Sequence, residues 1–308
     1  MNRVPTGAAT PATIVNTLKA MAGASPKARA SFARGRCVRG TYIPSDRAEE
    51  ITKSRSFTSA SRVLARFSVD GSNPRTPDTD NFVLRGFSFR LGDTDHHSDI
   101  LTQSAPVHYA KTPAQMLAYL KARLPGPDGR PDPEKLKAFS TANPETLHQA
   151  SYLASHPLPA SFSDTTYWAV HAFPATNRSG ETQFIKFKVV PVGSQGAPSE
   201  NTAATKPEAL LHDDLESRIA SRHIRFSLMA VLGRPADPIL DVTIRWPDED
   251  RRQTVRLGTI VITAIETNDA RDTSVFDPAN LAEGIGYPPD EIFAVRRAAY
   301  TISRARRR

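Results

Sequence analysis

Residues 29–42 read RASFARGRCVRGTY: four arginines (Arg29, Arg34, Arg36, Arg39) within eleven positions, the chain's single cysteine at Cys37, and a phenyl ring, Phe32, in an otherwise small and polar run. From Arg34 the pattern is that of a strand, RGRCVRGTYIP, ending at Pro44. A guanidinium cluster at the mouth of a strand needs a reason, and so does the phenylalanine among it. The three arginines from Arg34 onward are expected at solvated strand positions.

Outward from this strand, RVLARFSV (62–69), FVLRGFSFRL (82–91) and DILTQSAPVHYA (99–110) are short, rich in β-formers and separated by turn-rich loops. Helical patterns follow at 112–124, 134–142 and 143–156. Strands are expected again at TTYWAVHAF (165–173) and TQFIKFKVVPV (182–192), then a helix at 208–220. Three more strands are expected at HIRFSLMAVLG, ILDVTIRW and TVRLGTIVITAIE. Near the start, TPATIVNTLKAMAG (10–23) spaces Ile14, Leu18 and Met21 as one helix face, with Thr10 as cap and Gly23 as stop. Strands in runs with helices inserted in blocks indicate an antiparallel α+β fold and not a doubly wound sheet. The expected organisation is an N-terminal arm over 1–24 and one domain over 25–308.

Composition removes several classes. The chain has 308 residues, enough apolar content for a core and a formal charge of +8. One cysteine excludes an internal disulfide or a zinc–thiolate cluster. The positive charge is dispersed over strands or gathered in SRARRR (303–308), with little aromatic interleaving, which argues against nucleic-acid binding. No apolar run approaches the roughly 18–20 residues of a membrane span. A soluble protein is expected, with the compartment open between cytoplasm and, after removal of a leader, periplasm. No P-loop, G-x-S-x-G or dinucleotide fingerprint occurs.

The C-terminal stretch PDEIFAVRRAAYTISRARR is a helix by its Ile292, Val295, Ala299 and Ile302. Arg296 and Tyr300 are four apart on one face, and Arg307 lies near that face two turns on. A guanidinium one turn before a phenol can complement an anionic oxygen ligand for iron. The spacing is equally that of a half-buried tyrosine under an amphipathic helix.

RAAY near the C-terminus, FDPANLAEGI (276–285), RFS (66–68), and RASFARG followed by GTYIPS resemble, in the same order, the haem catalase superfamily, most closely its short catalase-related peroxidase branch. The likeness runs from about Thr10 to Arg307. It implies a catalase-like antiparallel β-barrel with flanking helices and a buried, non-covalent haem b, since no C-x-x-C-H is present. Under it, Tyr300 is the iron ligand and Arg296 its charge partner, while Arg29, Arg66 and Arg307 are haem contacts, Arg29 and Arg66 at the propionates. Ser68 is placed near the haem, where it orients the distal group or serves the structure.

On the opposite side the pattern departs from the family. Phe32 stands where the resemblance implies a distal histidine, and Ser104, ahead of Pro106, stands where it implies an asparagine. A phenyl ring cannot move the proton that peroxide cleavage requires. Three accounts stay open: peroxide chemistry with a relocated base, for which His108 is the candidate; an apolar pocket for an organic substrate, including hydroperoxide rearrangement; or haem binding without catalysis. The expected activity is that of a peroxidase-like or peroxygenase-like oxidoreductase using a peroxide and a small organic co-substrate, with weak catalase activity at most. A monomer or homodimer is expected. Asp95, His96 and His97 read as an exposed hairpin, and His171 as a buried histidine with a backbone partner.

Overall fold

Each strand alternates between an apolar and a polar face, and that alternation decides which residues face a barrel interior and which face the helices. The structure, a computed structural model, describes residues 9–21, 28–71, 73, 74, 78, 82–126, 128–193, 210–266 and 276–306. The expected arm–domain boundary at residue 24 and the expected haem contact Arg307 lie outside them.

The strands are β1 (Arg34–Pro44), β2 (Ser61–Val69), β3 (Arg85–Leu91), β4 (Ser98–Gln103), β5 (Tyr167–Trp168), β6 (Phe173–Thr176), β7 (Thr182–Pro191), β8 (Ile224–Leu232) and β9 (Thr254–Ile265). They pair in the order β5-β4-β3-β2-β1-β9-β8-β7-β6, and β7 also pairs with β5. That second pairing closes eight strands into an antiparallel barrel and leaves β6 as a short extension. The chain is thus an α+β protein built on a closed barrel.

Aromatic rings fill the interior. Phe67 on β2 stacks on Phe87 of β3 with centroids 4.4 Å apart, and Phe226 and Tyr167 close around them. The alternate residues of the same two strands, Arg66, Ser68, Gly86 and Ser88, turn outward and line a cleft. Closure requires curvature, supplied where the register shifts between Arg39 and Gly40 of β1 and between Leu228 and Met229 of β8. At the first shift the backbones approach so closely that a methyl group on Gly40 would collide with the Val261 carbonyl oxygen.

The flanking helices carry a second core. Helix α1 (Pro11–Met21) packs with α4 (Pro113–Ala122) and α8 (Glu291–Ala305) through Ile14, Leu117, Leu120, Ile292 and Val295. Among the described residues the remaining α-helices are two single turns, α2 (Ala48–Ile51) and α3 (Arg55–Thr58), and three longer ones, α5 (Pro133–Ala142), α6 (His148–Ser155) and α7 (Leu210–Ser221). Helix α4 starts where the Thr112 side chain accepts from the Gln115 N–H ahead of Pro113. Helix α1, read as an arm, contributes to the same cleft through Val15 and Leu18.

Four expectations fail for local reasons. The strand expected over 99–110 stops at Gln103, because the Gln103 amide donates to the Ala105 and Val107 carbonyls and folds the chain into turns. The strand expected over 165–173 splits in two: Trp168 pairs with Lys188 and Phe173 with Ile185, so five steps oppose three and residues 169–172 bulge. Residues 239–246 form no strand, since the Asp241 carboxylate captures the Thr243 N–H and hydroxyl in a local turn. Of the arginines expected in solvent, Arg39 is exposed, but Arg34 lies 3.6 Å from buried Asp78, and Arg36 is half-buried against Glu216.

Gly40→Ala is expected to lower unfolding stability by roughly 1–3 kcal/mol through backbone displacement at the β1–β9 bulge. Urea denaturation checks this; an unchanged midpoint would mean the bulge relaxes without strain.

Candidate functional site

The outward faces of β2 and β3, the segment before β1, and the inner faces of α1 and α8 enclose a cleft of about 990 Å³, its open mouth included. Helix α8 contributes Arg296 and Tyr300. Its start is fixed by Asp290, whose Oδ1 accepts from the Phe293 N–H at 2.8 Å. The same carboxylate reaches into the site. Its Oδ2 lies 2.8 Å from His171 Nδ1, and His171 Nε2 lies 2.8 Å from Arg296 Nη1. Arg296 Nη2 in turn donates to the Tyr300 hydroxyl at 3.5 Å.

These contacts dictate protonation. A guanidinium can only donate, so His171 Nε2 must accept and Nδ1 must carry the hydrogen given to Asp290. Burial, with Arg296 beside it, pushes the His171 pKa down, consistent with a neutral ring. Burial would raise Asp290, but His171 and the Phe293 N–H outweigh it and hold the carboxyl below the usual range. His171 therefore has a carboxylate and a guanidinium as partners, not the backbone partner expected from sequence. It was missed because it sits on the bulge, where strand alternation gives no guide. The available signal was Asp290, a helix-capping residue six positions before Arg296.

The opposite wall is built around Phe32, whose φ of +50° puts it in the left-handed region. For a bulky residue this costs on the order of 1–3 kcal/mol. The surroundings over-determine it: Arg66 donates to the Phe32 carbonyl at 2.9 Å and to the Ala33 carbonyl at 3.0 Å, and the Ala33 N–H donates to Gly71. The ring lies close over Gly86, where a Cβ would come within 3.0 Å of it and 2.8 Å of Ser68 Oγ. Arg29 and Ser68 line the same cleft.

Ser104 and His108 do not line it. The Ser104 hydroxyl accepts from the Arg85 N–H, which ties it to the backbone of β3. His108 is 9% exposed, stacks on Tyr109 and has Nδ1 2.9 Å from the Ala110 carbonyl. Its charge neighbours are Arg296, His171 and Asp290, the groups behind Tyr300. Gln103 and Trp168, which sequence reasoning did not select, face the cleft instead. Among the described residues, the lining holds arginines and a tyrosine but no histidine and no carboxylate. In the 93–99 loop, Asp95 and His96 are exposed. Among the described residues, no group of three or more His, Cys, Asp or Glu suits a metal ion.

The donor set fits a haem: the Tyr300 oxygen, with a guanidinium beside it, would serve as a ligand for the iron, Arg29 and Arg66 would face its two carboxylates, and Val15, Leu18, Phe32 and Leu101 line an apolar wall. The glycine at position 86 keeps the sheet side free of a side chain that would displace the Phe32 ring.

Comparison with known proteins agrees with this geometry. A family model described as Catalase matches residues 13–308. A catalase-related peroxidase of Synechococcus elongatus is 29% identical over 97% of this chain and 88% of its own, and one of Mycolicibacterium paratuberculosis is 28% identical over 96% and 94%. A fungal catalase structure superposes with a TM-score of 0.80 at 20% identity, covering 91% of this chain. The chain spans 59% of the length of that catalase.

The buried neutral histidines make the fold acid-sensitive. Burial pushes His108 down to about 3, against about 6.5 for an unfolded histidine. Between these values the unfolded chain takes up a proton that the folded chain refuses, so stability falls as pH drops, by up to roughly 1.4 kcal/mol per pH unit for this residue. Denaturation midpoints between pH 7 and 4 are expected to decline less steeply in His108→Phe; parallel profiles would contradict the assignment.

Proposed function

The chain belongs to the catalase family, and on that premise we propose that it is a peroxide-using haem oxidoreductase of the catalase-related peroxidase type, acting on an organic co-substrate with weak dismutation of hydrogen peroxide. Haem b is held by the Tyr300 oxygen, with Arg29 and Arg66 at its carboxylates. When bound, it supplies a ferric centre whose anionic oxygen ligand favours heterolytic O–O cleavage over reversible dioxygen binding.

The protein's own contribution is unequal on the two sides. Behind Tyr300, Arg296 donates to the phenol oxygen and is held in place by His171, which Asp290 orients. This chain of fixed charges and dipoles holds a cation beside the phenol oxygen. In front, Phe32 excludes water and can neither accept nor return a proton. General acid–base assistance typically contributes about 10²–10⁴ in rate. Among the described residues the cleft lining has neither histidine nor carboxylate to supply it, and that one observation supports weak dismutation. The apolar wall also favours organic hydroperoxides over hydrogen peroxide, with rearrangement of such a hydroperoxide as the second reading.

Tyr300→Phe is expected to abolish retention of haem, read as loss of the visible absorption band at unchanged fold. Phe32→His is expected to raise dismutation by up to about 10²–10⁴. Histidine tolerates the left-handed backbone better than phenylalanine does, so the substitution adds no strain. Haem retained unchanged without the phenol, or no gain from the histidine, would overturn the assignment of the respective wall.

A further inference from the structure

One aromatic path leads from the cleft wall to solvent. Trp168, on β5 where the barrel closes, lines the cleft opposite Gln103 in register. It is 8% exposed, and its indole Nε1 has no hydrogen-bond partner. A buried indole N–H usually finds one. The edge of Trp168 meets Tyr152 of α6, with centroids 5.8 Å apart and planes near perpendicular. Tyr152 is half-buried and stacks on exposed His156 at 4.3 Å and 11°. His156 Nδ1 is fixed by the Tyr152 carbonyl and Ser155, so its ring is held flat against the phenol. Tryptophan and tyrosine are the side chains from which a single electron is most readily withdrawn. Here they stand in van der Waals sequence between a buried oxidising site and the surface.

We propose that Trp168 and Tyr152 relay oxidising equivalents out of the cleft, creating a second, external site on α6 where phenolic donors too bulky for the cleft are oxidised. The proposal rests on the haem reading of the cleft. One electron leaves Tyr152 through Trp168 for the peroxide-oxidised haem, and the phenolic proton leaves to water at the half-exposed edge. The resulting phenoxyl radical takes a hydrogen atom from the external phenol, restoring Tyr152. Two such rounds supply the two electrons, and two protons from water balance the reduction, so one hydrogen peroxide and two phenols give two waters and two phenoxyl radicals. Burial raises the Tyr152 pKa, so electron loss there is coupled to proton loss.

The haem-loaded protein is treated with peroxide and a nitroso spin trap, and adducts are mapped by mass spectrometry. In parallel, oxidation rates are measured for guaiacol, a small phenol, and for a sulfonated azo-naphthol dye. An adduct on Tyr152 is expected. Tyr152→Phe is expected to remove it and to slow dye oxidation by about tenfold or more while guaiacol oxidation and haem content stay unchanged. Trp168→Phe is expected to reduce the Tyr152 adduct. Tyr119→Phe, in a stacked tyrosine pair away from the cleft lining, serves as control and leaves the dye rate unchanged. Guaiacol turnover with no Tyr152 adduct, or an unchanged dye rate in Tyr152→Phe, would overturn the relay while leaving the haem reading intact. A preparation without a haem band would overturn both.

Discussion

The Asp290 carboxylate joins the fold to the site. One of its oxygens ends the unpaired N–H run at the start of α8, and the other fixes His171. The residue that decides where the helix begins therefore also decides which nitrogen of His171 accepts, and hence where the Arg296 guanidinium is held. Tyr300 lies one turn further along the same helix. Its phenol oxygen faces the cleft with a cation behind it because the helix cap, the histidine tautomer and the guanidinium are linked by successive hydrogen bonds. Replacing any one member would leave a buried polar group without its partner, which costs more than the bond itself contributes.

The barrel sets up the opposing wall by simple alternation. Phe67 and Phe87 point inward and stack, so Arg66, Ser68 and Gly86 must point outward into the cleft. The aromatic packing that stabilises the barrel thus also fixes the direction of the cleft-lining groups. Arg66 has two duties there. It faces the cleft, and it binds the carbonyls of Phe32 and Ala33, which holds the chain in a conformation that the phenylalanine side chain does not favour.

Legibility in the sequence followed the length and regularity of the elements. Strand β1 occupies Arg34–Pro44 as its pattern predicted, and α8 follows the apolar spacing of Ile292, Val295, Ala299 and Ile302. The pair Arg296–Tyr300 was visible because a helix places residues four apart on one face. Where side chains replace backbone pairing, periodicity misleads. Asp241 turns an apparently β-forming run into a loop, and Gln103 cuts short a strand whose continuation, by alternation with Thr102 opposite inward-facing Phe87, would have set Ser104 and His108 on the barrel side and not in the cleft. His171 lies in the bulge, and Trp168 just before it, in what read as a single strand. Their roles depend on two extra residues that no alternation rule anticipates.

The strain at Phe32 bears on how this position can carry different side chains without disturbing the scaffold. Its backbone is held by bonds to carbonyl and amide groups, contributed by Arg66 and Gly71, and none of these bonds involves its side chain. The position therefore accepts different side chains with little change in the frame, and its chemistry can change while its geometry persists. With an imidazole it could exchange protons with a bound peroxide; with a phenyl ring it supplies volume and dryness. The interlocked part of the device is on the Tyr300 side, where every member is bonded through its side chain and none can be exchanged independently.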